Sequence, residues 1–258
     1  MLVLLHGIGS NAGSFTPLLP HLPSDWRVIA WNAPGYGRSR SLETDWPLAA
    51  DYASALKALL DRLGLERVLL AGHSLGCLMA AAFADSEPGR VSRLLLSSPA
   101  LGHGVPKGGA LSGAAQARID DLAKLGPEAF AAARAPRLVF APEDNPQIVA
   151  RVREGMARVT MAGYVPAVRM LASGRLLDDA VRLQVPTDVL VGEHDLITPP
   201  EAAHRLHAAL QPSWRGRLSV LPASGHALYQ QSPAAFAAAL QGLMEAPAEE
   251  GPGARRHV

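Results

Sequence analysis

Val68-Leu69-Leu70-Ala71-Gly72-His73-Ser74-Leu75-Gly76-Cys77-Leu78-Met79-Ala80 sets one serine between two glycines and between two apolar runs. Residues 68–71 are aliphatic and follow Glu66-Arg67, which predicts a short buried strand, whereas the alanine-rich run from Leu78 to Ala84 predicts a helix. Ser74 then sits on the turn between them. A turn this tight strains its central residue, and the small Gly72 and Gly76 relieve the crowding of strand against helix. The hydroxyl is left exposed at the C-terminal end of the strand.

In that strand-turn-helix context, Gly72-x-Ser74-x-Gly76 resembles the nucleophile elbow of the α/β-hydrolase family. Two further stretches carry the resemblance. The aliphatic run 2–5 ends in His6-Gly7-Ile8-Gly9-Ser10, a strand entering a glycine-rich loop. In the family such a loop and the residue after the nucleophile supply the backbone N–H groups of an oxyanion hole. The resemblance therefore assigns Ile8 and Leu75 as donors to the charge that builds on a carbonyl oxygen under attack. Near the other end, the strand Pro186 to Gly192 is followed by Glu193-His194-Asp195-Leu196-Ile197-Thr198-Pro199, similar to the family's Gly-x-x-Asp-x-x-x-Pro acid loop. It implies Asp195 as the acid, with Glu193 and Asp188 as rival carboxylates and His194 as a bystander. The last strand, Arg217 to Leu221, runs into Pro222-Ala223-Ser224-Gly225-His226-Ala227, where the family keeps its base; of nine histidines His226 alone occupies such a turn. The order Ser74, Asp195, His226 is that of the fold.

Other stretches are quieter. Asn32-Ala33-Pro34-Gly35-Tyr36-Gly37-Arg38-Ser39 resembles the family's Asp-x-x-Gly-x-Gly-x-Ser segment, with Asn32 at the acid position, and reads as turn-fixing. Some members carry their acid after the strand that here is Arg90 to Ser97, but Ser97, Ser98, Pro99, Ala100 and Leu101 include no carboxylate. Helices are expected over Ser14–Leu22, Pro47–Leu63 with Gly64 as C-cap, Glu201–Leu210 and Ser232–Leu243, with a strand over Trp26–Trp31.

From residue 102 to about 180 the character changes. Gly102, Gly104, Gly108, Gly109 and Gly113 open the stretch, and helical segments follow at Gln116–Leu125, Pro127–Arg134, Pro146–Arg158 and Ala167–Ala172, the last begun by Pro166. The expected division is a core over 1–101, a helical cap over 102–180, the rest of the core over 181–245, and a flexible tail over 246–258. The fold class is α/β, a mostly parallel sheet flanked by helices with a cap insertion. Between 101 and 177, ten Lys/Arg face six Asp/Glu, an excess that reads either as a solvated helical surface or as a lid that attracts an acidic substrate.

At 48% hydrophobic and 18% charged residues and a net charge of +1, the chain lacks the composition of a disordered or nucleic-acid-binding protein. Cys77 is the single cysteine, so neither an intrachain disulfide nor a cysteine metal cluster is available, and no cofactor is expected. The start lacks the basic and apolar regions of a signal peptide, and no run is long enough for a membrane span, so a cytoplasmic location is the default expectation. The resemblance implies a serine esterase or lactonase working through an acyl-enzyme on a small-molecule ester or lactone. The same residues serve carbon–carbon bond hydrolases, and a non-catalytic ligand-binding scaffold is the alternative of another class. Finally, family members enter through a hairpin before the His-Gly-x strand, and here that strand begins at Leu2. Arg27-Val28-Ile29-Ala30 is then expected at an open sheet edge, implying self-association or a natural chain longer by about 15–25 residues.

Overall fold

The computed structural model describes residues 1–245; the expected tail, 246–258, lies outside the described residues. Six parallel strands form one sheet: β1 (Leu2–Leu5), β2 (Val28–Ala30), β3 (Val68–His73), β4 (Val91–Ser97), β5 (Thr187–Gly192) and β6 (Arg215–Leu221), in the order β2-β1-β3-β4-β5-β6. The central strands read as unbroken aliphatic runs because both faces are covered. Val3 and Leu5, with Val68, Leu70, Leu94 and Leu96, point into one apolar layer. Leu2 and Leu4, with Leu69, Ala71 and Leu95, point into the other.

The first layer is closed by α1 (Ala49–Arg62), α2 (Gly76–Ser86), the inserted helices described below and α7 (Pro200–Ala209). Asp51 accepts the Leu48 N–H at 2.7 Å to start α1, and Gly64, at φ 65°, ends it. The second layer is closed by a 3₁₀ segment, Ala12–His21, and by α8 (Leu228–Gln231) and α9 (Pro233–Glu245). The first of these differs from the expected α-helix because Pro17 and Pro20 interrupt any i−4 ladder there.

Four helices lie between β4 and β5: α3 (Gly113–Arg134), α4 (Pro146–Met156), α5 (Met161–Ser173) and α6 (Leu176–Ala180). Within α3 two helices meet at Gly126, whose φ of 73° is outside helical space, which matches the expected pair 116–125 and 127–134. α5 does correct an expectation. It starts at Met161, where Thr160 Oγ1 accepts the Gly163 N–H at 3.3 Å, and Pro166 lies inside it rather than opening it. The two ends of the insertion are laced together, Gly104 N to Gly174 O at 3.0 Å, Val105 N to Ala172 O at 2.8 Å and Leu176 N to Leu101 O at 2.9 Å. A Cβ on Gly102 would collide with the Gly174 carbonyl, so this neck requires glycine.

Among the described residues β2 pairs only with β1 and forms one sheet edge, as expected. Strand Trp26–Trp31 is shorter than expected, with only Val28–Ala30 in the ladder, and β6 begins two residues earlier, at Arg215. Among the described residues, no helix is long and apolar enough to cross a membrane.

Candidate active site

Ser74 sits between β3 and α2 at φ 55°, a strained value for a residue with a side chain. The glycines on either side make that turn possible. A Cβ on Gly72 would stand 2.5 Å from the Gly76 carbonyl oxygen, and one on Gly76 would collide with the Leu5 carbonyl. Ser74 N donates to Ser97 O at 2.9 Å, tying the turn to β4. Cys77 is buried beneath it, its thiol on the Gly72 and Ser97 carbonyls at 3.3 Å each. Burial pushes that thiol well above its ordinary range, so it packs rather than reacts.

The β1 loop closes over this turn, and a Cβ on Gly7 would come within 2.9 Å of Ser74 Cβ. His6 anchors the loop. Its Nε2 accepts the Ala33 N–H at 3.1 Å, so the ring proton is on Nδ1, which donates to Gly7 O at 2.8 Å. Tyr36 donates to Ile8 O at 2.6 Å. Among the described residues, no protein acceptor takes the Ile8 or the Leu75 N–H.

The loops after β5 and β6 bring Asp195 and His226 together, with His226 Nδ1 2.9 Å from Oδ2 and 3.1 Å from Oδ1. Asp195 is fully provided with donors. Ile197 N and Thr198 N donate to Oδ1 and Thr198 Oγ1 to Oδ2, each at 2.9 Å. Burial would raise its carboxyl, but the His226 ring and the Thr198 donors hold it well below the usual carboxylate range. The rivals are placed elsewhere. Asp188 binds Arg217, and the exposed Glu193 lies 3.5 Å from His194.

Sequence reasoning missed four supporting residues. Thr198 holds the carboxylate and lies 3.2 Å from His226 Nδ1. Its only signal was its place one residue before the proline of the acid loop. His73 donates from Nε2 to His226 O at 2.8 Å, leaving a buried Nδ1 without a partner. Gln231 accepts from Phe140 N and Gly225 N, both at 3.0 Å, and donates to Phe140 O at 2.8 Å, while Ala227 N donates to Leu138 O at 2.8 Å. Both neighbours of His226 are thereby fastened to residues 138–140 of the insertion. His194 stacks on Phe140 at 3.9 Å. The fourth is His6, described above.

Ser74, His226, Ile8 and Leu75 all line one cavity of about 320 Å³, roofed by the insertion through Phe130, Leu138, Val152, Met156, Tyr164 and Leu171. Its size and apolar walls suit a small organic ligand. Among the described residues, no group of three or more His, Cys, Asp or Glu is placed to hold a metal ion.

The chain has measurable likenesses elsewhere. It is 29% identical over 265 residues to the pimeloyl-[acyl-carrier protein] methyl ester esterase of Neisseria meningitidis, covering 94% of this chain and 92% of that protein. It is 28% identical over 253 residues to a putative carbamate hydrolase of Shigella flexneri, covering 93% and 89%. The enol-lactonase of Burkholderia xenovorans superposes with a TM-score of 0.83 at 23% identity, covering 95% and 90%, a likeness of fold. A model of the Alpha/beta hydrolase family matches residues 2–239, nearly the whole described structure, and the chain belongs to that family.

Proposed function

We propose that the protein is a serine hydrolase that cleaves a carboxylic ester or lactone through an acyl-enzyme. The observation that carries this reading is the buried Asp195–His226 pair, bonded at 2.9 Å, with His226 and Ser74 on the wall of one cavity. In the proposed sequence, Ser74 Oγ attacks the carbonyl carbon while its proton passes to His226 Nε2. The carbonyl oxygen takes the negative charge and is met by the Ile8 and Leu75 N–H groups. Collapse breaks the bond to the leaving oxygen, which takes the proton back from the imidazolium. Water, deprotonated by His226, then attacks the acyl carbon and frees Ser74. Asp195, kept ionised by its donors, holds the ring with Nδ1 protonated and Nε2 free, and stabilises the imidazolium.

Support of a coarser kind comes from the family, and the methyl ester esterase among the relatives agrees with attack on an ester carbonyl. The test is hydrolysis of p-nitrophenyl acetate by the wild type and by Ser74→Ala. The expected result is turnover that the substitution abolishes with an unchanged circular dichroism spectrum; Ser74→Ala with wild-type kinetics would falsify the proposal.

A further inference from the structure

The cavity's charge is one-sided. Arg118, Arg134 and Arg137 line it, and among the described residues no Asp or Glu does. All three arginines come from α3 and the 3₁₀ turn after it, Ala135–Leu138. Arg134 lies over the Phe130 ring, 4.6 Å from its centroid, and is paired with Asp121 at 2.9 Å. Arg118 lies close enough to the buried Tyr164 to act on its hydroxyl electrostatically, and the Tyr164 ring meets Phe130 edge to face at 5.3 Å. On the outside of the insertion the pattern is different, for Arg158 pairs with Glu154 and Arg175 with Asp178. Among the described residues, neither Arg118 nor Arg137 has a carboxylate partner.

The half-buried Arg118 and the exposed Arg137 thus line a largely apolar cavity that, among the described residues, holds no carboxylate. A guanidinium presents a planar fork of N–H donors that fits a carboxylate in two parallel bonds, and low-dielectric walls strengthen its field. We propose that Arg118 and Arg137 form a subsite for a free carboxylate on the substrate. The ester or lactone whose carbonyl reaches Ser74 is then one that carries an acid group at its other end, as a mono-ester of a dicarboxylic acid does. This rests on the reading of Ser74 as the nucleophile. It adds the substrate class.

The experiment compares mono-4-nitrophenyl glutarate with 4-nitrophenyl pentanoate, acyl chains of equal length that end in carboxylate and in methyl. The wild type is expected to prefer the glutarate in kcat/KM by about tenfold or more, a preference that shrinks as salt is raised. Arg137→Gln and Arg118→Gln should each lower the ratio of the two rates, and together bring it near one. Arg137 carries no ion pair, so Arg137→Gln is the variant that tests the idea should Arg118→Gln fail to fold. A wild-type ratio near one, or variants in which both esters slow equally, overturns the subsite. Calorimetric titration with glutarate separates this from the hydrolase reading. Binding that weakens about tenfold in Arg137→Gln supports the subsite even if neither ester is turned over, and equal binding by wild type and variant overturns it.

Discussion

His6→Gln should make the protein less stable at neutral pH and more stable in acid. In the fold His6 is buried, its Nε2 accepts from Ala33 and its Nδ1–H donates to Gly7, so a second ring proton would point at an N–H. Burial lowers its pKa from 6.5 to about 4, against the gain from its bond to Gly7. The unfolded chain therefore binds a proton near pH 6.5 that the folded chain refuses until about pH 4, and stability falls as pH falls through that window. Integrated from neutral pH to pH 4.5, His6 accounts for a loss of about 2.5 kcal/mol, a substantial part of a typical domain's stability. Glutamine keeps an acceptor for Ala33 but cannot titrate, and losing the Gly7 bond costs about 1 kcal/mol. The two stability curves should then cross at about pH 6. Urea unfolding followed by circular dichroism between pH 7.5 and 4.5 measures this directly, provided the m-values match. Parallel curves that never meet would refute the argument, since they would mean that His6 takes its proton equally easily in both states.

Further outcomes follow from the site. Asp195→Asn should lower kcat by roughly 10³–10⁴, while Glu193→Gln leaves it near wild type; steady-state kinetics on one ester with both variants tests the choice of acid. Thr198→Val removes a hydroxyl bonded at 2.9 Å to Asp195 and should lower kcat by about tenfold with KM little changed, and a fall in KM alone would speak against that role. Gly76→Ala sets a methyl against the Leu5 carbonyl and should cost about 3 kcal/mol or more in thermal or urea unfolding, whereas an unaltered midpoint would show that β1 and α2 can part. The β2 edge should promote concentration-dependent self-association, and sedimentation velocity giving a monomer at every concentration would dispose of that expectation.

What could be read from the sequence was local. Each buried strand is a short aliphatic run next to a turn signal; Ser74 and Asp195 lie in the turns after two such runs and His226 in the turn after the more exposed strand β6, so their neighbours in sequence single them out as candidates. What could not be read depends on pairings far apart in the chain. His73 meets the carbonyl of His226 across 153 positions and Gln231 meets Phe140 across 91, and no local pattern marks either contact. The insertion was harder still. Gly126 and Pro166 look alike as helix boundaries in one dimension, but Gly126 breaks its helix through a positive φ, whereas Pro166 is carried within a helix already begun at Thr160. The basic excess of that region was visible as a sum, yet only the structure shows which of its arginines line the cavity.

The neck at Gly102 and Gly174 invites replacement of everything between as a cassette, a natural route for an engineer who wants a new substrate range. The bonds of residues 138–140 argue against a clean cut. A transplant spliced at the neck would remove the Leu138 carbonyl and both backbone groups of Phe140, leaving the Ala227 N–H beside His226 without its acceptor and the Gln231 amide with only the Gly225 N–H. In this chain a graft that changes the roof also loosens the histidine beneath it, so a working chimera has to import the 138–140 segment in register or redesign Gln231 to match its new neighbour.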